Sequence, residues 1–369
     1  MSSSGSFKHH LTLYPDNNKP PIRNSSTTDH SHPPEHLPLA KETKIKPTGA
    51  TNAENASLYF VGTATTILEW SGIRIMTDPN FLHAGDHVHL GPGVTGERKT
   101  NPALDLEELP PIDAVLLSHY HADHFDEKVE SSLRRDLPIV TTPHAKQHLS
   151  SEGKKGDGEE FTAVYDLGFW ESALVSIPPN KSNDESPSSK EASASSRVPA
   201  IKVTGMPGKH VPDGALSVAN DLLSAVPPTN GWMVELGYTN PSSPSSESSV
   251  SFTNGYRIYI SGDTLMVDDL KEIPKRYADQ RIDLMLVHLG GTTIPSPKLP
   301  LLMVTMDAEQ GVQLMRLINP EVTIPVHHDD YDVFLSPLDD FKKAVESAGW
   351  SDKVVYLDRG DQYRFEVGR

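Results

Sequence analysis

Short apolar runs alternate with helical patterns along most of this 369-residue chain. Two of these runs, Leu58–Trp70 and Ile73–Asp78, lie on either side of Ser71-Gly72 and predict a strand hairpin. Ile112–Ser118 is a mainly apolar run that follows two prolines, a pattern typical of a strand buried on both faces. Further strands are predicted at Pro138–Thr142, Ala173–Ile177, Ala200–Gly205, Trp232–Tyr238, Tyr256–Gly262, Ile282–Leu289, Val322–Val326 and Val354–Leu357.

Three segments carry helical patterns, namely Asp126–Arg135, Asp307–Ile318 and Pro337–Ser347. The second opens with a capping signal, since Gln310 follows Asp307 by three residues. The alternation of strands and helices predicts an α/β protein. Two packed sheets with helices outside would explain the alternation, and a single doubly wound sheet would explain it as well.

The first 48 residues have a different composition, rich in Ser, Pro, Asn, His and Lys. We predict a disordered tail there, because the segment has too little apolar surface to offset its ordering entropy. Ser-rich stretches at 180–197 and 240–251 lie between predicted strands, and we interpret both as surface insertions. Roughly 290 residues remain without these three segments, which suits one large domain spanning 49–369 or two fused halves.

The chain has 50 acidic and 33 basic residues, a formal net charge of −17, and no cysteine. Such a negative charge argues against nucleic acid as a partner, because phosphate binding needs clustered Lys and Arg. The lack of cysteine excludes disulfide frameworks, thiolate zinc sites and cysteine nucleophiles. No apolar run approaches the roughly 20 residues that span a bilayer, and the first residues lack a signal-peptide pattern. We therefore expect a cytoplasmic protein without an integral membrane segment.

Candidate chemistry is concentrated directly after the strand Ile112–Ser118, in the sequence HYHADH at positions 119–124. Residues two apart on an extended backbone point to the same side, so His119 and His121 can bind one ion. The turn before the next helix can direct Asp123 and His124 towards a neighbouring position. Neutral imidazoles and carboxylates are the ligands of a hydrolytic Zn²⁺ that keeps one position for water.

The pattern H-x-H-x-D-H after a buried strand resembles the signature of the metallo-β-lactamase superfamily. Two upstream segments, Gly62–Thr66 and Ile75–Pro79, are similar to the opening hairpin of one branch. That branch contains the UlaG-like lactonases and the N-acylphosphatidylethanolamine phospholipase D enzymes. The resemblance extends from about Leu58 to the C-terminus. It implies a four-layer αββα fold, with two packed mixed sheets and helices outside.

The resemblance also implies three metal ligands further along the chain. A histidine after a later strand corresponds to His210, and an acidic residue that bridges two ions corresponds to Asp263. A last histidine after a strand corresponds to His327, which matches the family pattern better than His328. The implied ligands of two zinc ions are therefore His119, His121, Asp123, His124, His210, Asp263 and His327.

The resemblance divides these ligands between two ions that share Asp263. One ion would be bound by His119, His121 and His210, and the other by Asp123, His124 and His327. Asp123 and Asp263 are the candidate catalytic residues, Asp123 as a proton acceptor as well as a ligand. Histidine and aspartate also suit iron and manganese, so the ligand set does not select zinc by itself.

The implied activity is hydrolysis of a small-molecule substrate, since two zinc ions about 3.5–4 Å apart hold a hydroxide and polarise the substrate. The UlaG-like resemblance favours a cyclic amide or ester, that is, a lactam or a lactone. A phosphodiesterase of the N-acylphosphatidylethanolamine phospholipase D type is the alternative enzyme. A metal-binding module without turnover is the alternative outside enzymes.

Several other polar residues are candidates for supporting roles. Asp78 and Asp126 are candidates for orienting the ligand histidines, and Asp78 could equally cap the hairpin turn that it occupies. His288 ends a predicted strand beside the expected cleft, where it either shapes the substrate pocket or is a structural buried residue. The remaining histidine groups are interpreted as not binding metal. His83, His87 and His89 are expected in a mobile loop, with a substrate-facing lid as the alternative, and His144 and His148 on a short helical stretch.

Overall fold

The computed structural model describes residues 6–15, 19–23, 34–91, 94–150, 158–178, 197–211, 226–240, 251–296 and 299–368. Within these residues the chain forms two large β-sheets, two separate hairpins and five α-helices. The predicted insertions fall outside the described residues over 180–196 and 241–250.

The first sheet is mixed and contains eight strands, most of them from the first half of the chain. In spatial order these are β10 (Val164–Asp166), β9 (Ile139–Thr141), β8 (Ala114–Leu116), β5 (Ile73–Thr77), β4 (Thr65–Trp70), β3 (Ala56–Gly62), β19 (Gln362–Phe365) and β2 (Thr43–Lys44). The strand before the HYHADH segment, β8, lies between β5 and β9 and is parallel to both. It is therefore an interior strand, as its apolar sequence predicted.

The second sheet contains seven strands. In spatial order these are β1 (His9–Thr12), β11 (Ser172–Ser176), β12 (Val198–Met206), β13 (Gly231–Thr239), β14 (Phe252–Ile260), β15 (Leu284–His288) and β18 (Val322–Val326). The last three of these are parallel to one another. Their carboxyl ends consequently lie at one edge of the sheet.

Two hairpins and five helices complete the described structure. The hairpins pair β6 (His87–Gly91) with β7 (Val94–Glu97), and β16 (Thr293–Ser296) with β17 (Leu299–Met303). The helices are α1 (Glu127–Ser132), α2 (Pro143–Leu149), α3 (Glu272–Arg276), α4 (Ala308–Ile318) and α5 (Leu338–Ser347), with short 3₁₀ helices at Leu106–Glu108, Asp268–Lys271 and Ser351–Lys353. None of the helices in the described parts of the chain has the length and apolar composition to cross a bilayer.

Both sheets are buried on both faces, because successive residues of a strand point to opposite sides. In β3, Leu58 and Phe60 lie in the core between the sheets, whereas Tyr59 and Val61 pack with residues of α1 and α2. The outer face of the second sheet is covered in the same way by α4 and α5. The result is the four-layer αββα arrangement, and the single doubly wound sheet is excluded.

The prediction that residues 1 to 48 form a disordered tail is wrong for two parts of that segment. β1 pairs in parallel with β11, and Leu11 and Leu13 are buried in the core between the sheets. β2 pairs in parallel with β19. The low apolar content of the segment as a whole conceals these strands, because a few buried residues suffice to tie a terminus to a preformed sheet.

The predicted strands are present with two differences. Leu58–Trp70 contains two strands, β3 and β4, because the chain turns at Thr63, whose φ is +49°. Val354–Leu357 is not a strand; Val354 forms one isolated bridge with Thr323, and the last strand is β19. Its apolar side chains are explained by burial in the cores on either side of the second sheet rather than by pairing.

Two of the predicted helices begin where their sequence indicates. Asp307 precedes α4, and its side chain accepts a hydrogen bond from the backbone N–H of Gln310 at 2.9 Å. α5 follows Pro337, which lies just before its first turn. The third, α1, is shorter than predicted and ends at Ser132.

Candidate metal centre

The HYHADH segment forms a turn between β8 and α1. The backbone N–H groups of His124 and Phe125 both donate to the carbonyl oxygen of His121, at 3.0 and 2.8 Å. α1 follows because one carboxylate oxygen of Asp126 accepts the backbone N–H of Val129 at 2.8 Å. The other oxygen accepts a second backbone N–H at 2.7 Å. Asp126 therefore fixes this turn, rather than orienting a ligand histidine as the sequence suggested.

The three ligands expected from the rest of the chain all follow strands of the second sheet. His210 comes after β12, Asp263 after β14, and His327 directly after β18. Between β14 and Asp263, Gly262 has a φ of +61°, and a Cβ there would lie 2.3 Å from the carbonyl oxygen of Asn230. Glycine is therefore required for the turn that directs Asp263 towards the edge where His327 lies.

The structure brings these side chains together in two groups that share Asp263. In each group, one potential ligand atom per residue lies within 4.8 Å of the others. The first group consists of His119, His210 and Asp263, and the second of Asp123, His124, Asp263 and His327. In the second group, Asp263 Oδ2 lies 3.1 Å from His124 Nε2 and 3.5 Å from His327 Nε2.

Several atoms of this cluster make no well-aligned hydrogen bond with another described residue, including His124 Nε2 despite its 3.1 Å approach to Asp263 Oδ2. They are His119 Nε2, His124 Nε2, His210 Nε2, His327 Nε2 and Asp263 Oδ1. All five residues are at least 94% buried. Buried polar atoms in proteins are almost always paired, so several unpaired ones that converge fit the position of a cation.

The other ring nitrogen of each of these histidines is held by the protein. His210 Nδ1 lies 3.1 Å from the carbonyl oxygen of Val304, and His327 Nδ1 lies 2.9 Å from that of Leu289. A carbonyl oxygen only accepts, so both rings carry hydrogen on Nδ1 and turn Nε2 towards the cluster. This arrangement is typical of histidines that ligate metals.

Ser118 and Asp78 support the two remaining rings. Ser118 Oγ lies 2.9 Å from His119 Nδ1 and 3.4 Å from His124 Nδ1. Asp78 Oδ1 accepts the backbone N–H of Ser118 at 2.7 Å and its hydroxyl at 2.9 Å. Asp78 therefore lies behind the rings, where the sequence suggested it, whereas the part played by Ser118 was missed.

His121 lies beside the cluster but belongs to neither group. Its ring stacks on that of His119, with centroids 5.6 Å apart and planes inclined by 24°. Its Nδ1 forms a 2.6 Å hydrogen bond with Asp123 Oδ1. The side chain is 18% exposed, more than those of the other predicted ligands of the histidine motif, so the cluster opens to solvent on this side.

Burial and mutual charge set the protonation of the metal-free cluster. Burial lowers the pKa of His119 well below its ordinary value and that of His210 to about 4, so both rings are neutral at pH 7. Burial opposes ionisation of Asp263, but the adjacent His124 and His327 outweigh it and hold the pKa well below its usual range. Neutral imidazoles and ionised carboxylates are the states in which these groups bind metal.

His124 shows that the cluster attracts positive charge. Burial acts to lower its pKa, yet the carboxylates of Asp263, Asp123 and Asp78 outweigh burial and raise the pKa well above the ordinary value. In the metal-free protein a proton on His124 therefore compensates these buried carboxylates. A bound cation would supply the same compensation.

A buried charge cluster that the sequence analysis missed supports the turn at His327. Asp330 accepts the backbone N–H of Thr63 at 3.1 Å, and the Thr63 carbonyl accepts the backbone N–H of His327 at 2.7 Å. The Arg98 side chain is fully buried, hydrogen-bonds Thr63 Oγ1 and lies 3.6 Å from Asp330 Oδ1. No local sequence signal marks this cluster, because its members come from three distant segments.

The remaining histidines are not members of the two groups that share Asp263. His328 Nδ1 lies 3.3 Å from Asp329 Oδ2, and His288 is buried at the end of β15. The interpretation of 83–89 as a mobile loop is wrong for His87 and His89, which are exposed residues of β6 and pair with β7. The other histidines named in the sequence analysis form local contacts: His83 with Asp105, and His144 with His148 on α2.

Known proteins share both the sequence pattern and the fold of this chain. A family described as a beta-lactamase superfamily domain matches residues 74–177. A UPF0173 metal-dependent hydrolase of Polynucleobacter asymbioticus is 26% identical over 304 residues, which cover 80% of this chain and 84% of that protein. The mitochondrial N-acyl-phosphatidylethanolamine-hydrolyzing phospholipase D of Saccharomyces cerevisiae is 31% identical over 118 residues, or 31% of this chain and 23% of that enzyme.

Among solved structures, the isothiocyanate hydrolase from Delia radicum gut bacteria superposes with a TM-score of 0.58 and 16% identity. The match covers 85% of this chain and 100% of that protein. At this identity the similarity is one of fold, and the fold agrees with the four layers described above. Residues 74–177 are therefore similar to a beta-lactamase superfamily domain, and the described residues have the four-layer fold that the resemblance implied.

Proposed function

We propose that this protein is a metal-dependent hydrolase that binds two cations in the cluster around Asp263. The observation that carries the proposal is the convergence of four unpaired imidazole nitrogens and one unpaired Asp263 oxygen, all buried. The rings are supplied by both sheets, and each has its other nitrogen held by a protein group. The similarity to a metal-dependent hydrolase over most of the chain supports the reaction class.

We assign the ligands from the two groups together with the resemblance, which adds His121. His119, His121 and His210 bind one cation, and Asp123, His124 and His327 bind the other, with Asp263 shared. To bind the first cation, His121 Nδ1 would give up its hydrogen bond with Asp123 Oδ1. We propose zinc, since neutral imidazole and carboxylate ligands suit it, although the same set accepts iron or manganese.

Cations held by these residues would supply Lewis-acid chemistry, that is, activation of a water near neutral pH and withdrawal of charge from the scissile group. The chain's own contribution is to hold the ligands, because the carbonyls of Val304 and Leu289 fix two of the rings. Asp123 adjoins the partly exposed His121, where solvent and substrate have access. We assign Asp123 as the carboxylate that accepts a proton during attack and returns it to the leaving group.

For the substrate, we propose a cyclic amide or ester of a small molecule. The support is the similarity of the Gly62–Thr66 and Ile75–Pro79 segments to the UlaG-like lactonases. In addition, the partly buried ring of Phe334 packs on that of His327, with centroids 4.5 Å apart, and supplies an apolar wall beside the cluster. A phosphodiester is the second candidate, favoured by the 118-residue match to the yeast phospholipase D.

The test combines metal analysis with hydrolysis. Purified protein is analysed for bound metals and assayed with a lactone, a lactam and bis-p-nitrophenyl phosphate. His121→Ala is expected to remove most turnover, while His87→Ala, which alters an exposed histidine of β6 outside the cluster, is expected to retain it. Circular dichroism of both variants shows whether the fold persists.

Three outcomes would contradict the proposal or part of it. Equal turnover in wild type and His121→Ala would reject the assigned site. Wild-type protein that binds two cations but hydrolyses none of the three substrate classes would favour a metal-binding module. Turnover of the phosphodiester alone would replace the lactam or lactone by the second candidate.

A further inference from the structure

His288 is a buried imidazole that the proposed mechanism does not use. It is the last residue of β15, it is 1% exposed, and its backbone N–H donates to the Ser261 hydroxyl at 2.9 Å. Its Nδ1 lies 3.4 Å from the same hydroxyl, whereas its Nε2 has no hydrogen-bond partner among the described residues. A buried polar atom left in this way costs free energy and calls for an explanation.

The unpaired nitrogen of His288 faces Asp78. Asp78 Oδ2 lies 3.8 Å from His288 Nε2 and 3.5 Å from His124 Nδ1. The other oxygen of Asp78 is already used, because it accepts both hydrogen bonds from Ser118. Two imidazoles therefore share Oδ2. Shortening either nitrogen–oxygen distance by roughly 0.5–0.8 Å would bring it into hydrogen-bond range.

His288 meets the cluster through Asp78, and its ring also lies near that of His327, with centroids 5.8 Å apart. Asp78, His124 and His288 form a third group whose potential ligand atoms lie within 4.8 Å of one another, and all three residues are buried. The rings of His124 and His288 are nearly parallel, with centroids 6.0 Å apart and an angle of 14°. His124 is the member common to this group and to the group at the second cation.

We infer that His288 is a positioning residue: its Nε2–H donates to Asp78 Oδ2 and holds that carboxylate against His124 Nδ1. His124 Nε2 is thereby directed at the second cation. The inference rests on the proposed function, because only a ligand role requires this orientation of His124. His288 keeps its proton throughout, and no bond is made or broken. Its loss is expected to weaken one cation and to leave the other unchanged.

The test measures Co²⁺ binding to the metal-free full-length protein. Calorimetry gives the affinity, and the visible d–d absorption reports the surroundings of the bound ion. His288→Leu fills the same space without a donor, while His288→Gln places an amide N–H near the position of Nε2. His288→Leu is expected to weaken the second Co²⁺ by roughly 10–100-fold and to change its absorption spectrum. His288→Gln is expected to restore most of the affinity and the spectrum.

Equal Co²⁺ affinity in wild type and His288→Leu would overturn the inference and leave the proposed function standing. Equal losses in the leucine and glutamine variants would also overturn it, since packing and not a hydrogen bond would then be responsible. If His288→Leu does not fold, His288→Asn replaces it, because the shorter asparagine amide does not reach Asp78. This variant is expected to lose the same Co²⁺ affinity as His288→Leu. Wild-type Co²⁺ affinity in His288→Asn would overturn the inference. Wild-type protein that binds fewer than two Co²⁺ overturns the proposed function and the inference with it.

Discussion

Replacement of Asp330 by asparagine tests whether the buried charge cluster holds the turn at His327. Asp330 is fully buried. Its Oδ1 accepts a hydrogen bond from Arg359 Nε at 3.1 Å, and Arg98 Nη2 lies 3.6 Å from the same oxygen. Oδ2 accepts the backbone N–H of Thr63, whose carbonyl accepts that of His327. One residue, Thr63, therefore connects the charge cluster with a proposed metal ligand.

The expected cost follows from the burial of Arg98, whose side chain is 0% exposed. Asp330→Asn leaves this guanidinium without its carboxylate, and removing one partner of a buried ion pair costs about 3–5 kcal/mol. The amide oxygen of asparagine still accepts one hydrogen bond, so we expect a loss near the lower limit, about 3 kcal/mol. With an m-value of about 3 kcal/mol/M, the urea midpoint falls by about 1 M.

Urea unfolding of the metal-free protein, followed by circular dichroism, measures this loss. Asp268→Asn is the matched control, because Asp268 pairs with Lys271 on the surface and its midpoint is expected to stay unchanged. A midpoint of Asp330→Asn equal to that of wild type would refute the stabilising role of the cluster. Reduced stability with unchanged Co²⁺ affinity would refute its connection to His327.

Further outcomes are expected for metal, ligands and pH. Chelation is expected to lower the melting temperature measured by calorimetry, because a ligand at 100 times its Kd adds about 2.7 kcal/mol to the free energy of unfolding. Elemental analysis is expected to show Asp263→Asn losing both cations, His327→Ala losing one and His328→Ala losing none. Burial lowers the pKa of His210 to about 4 in the folded metal-free protein, whereas the ordinary pKa of histidine in the unfolded chain is about 6.5. Between pH 4 and pH 6.5 the unfolded state therefore binds more protons than the folded state. Stability is therefore expected to fall by about 3 kcal/mol as the pH drops from 6.5 to 4, and urea titrations of wild type against His210→Gln isolate this contribution.

Each of these expectations has a contrary result. A melting temperature that chelation does not change would mean that the cluster holds no stabilising cation. Loss of a cation in His328→Ala, with none lost in His327→Ala, would exchange the roles of these neighbours. Parallel pH profiles for wild type and His210→Gln would mean that burial does not keep the His210 ring neutral.

Sequence reasoning succeeds where the signal is local. The HYHADH segment follows an apolar strand, and one turn brings three of its four ligand candidates into the two groups around Asp263. Asp263 and His210 also follow strands whose periodicity is clear. By contrast, the contact of Arg98 with Asp330 joins residues more than two hundred positions apart, and it depends on where the β6–β7 hairpin lies. No period or spacing encodes that position.

The same distinction explains the error at the N-terminus. Leu11 and Leu13 are buried because β11 offers an open edge and the space between the sheets accepts their side chains. Neither condition is visible in the surrounding polar sequence. The four layers were implied by the resemblance, because apolar runs buried on both faces fit a doubly wound sheet equally well.

The edge position of β1 has a consequence for anyone who prepares a shortened protein. A fragment beginning after residue 48 would leave the backbone groups of β11 that face β1 without partners and would empty the space filled by Leu11 and Leu13. An exposed strand edge pairs with other molecules. Such a fragment is therefore expected to self-associate, and residues that look dispensable by composition serve as a barrier to intermolecular sheet growth.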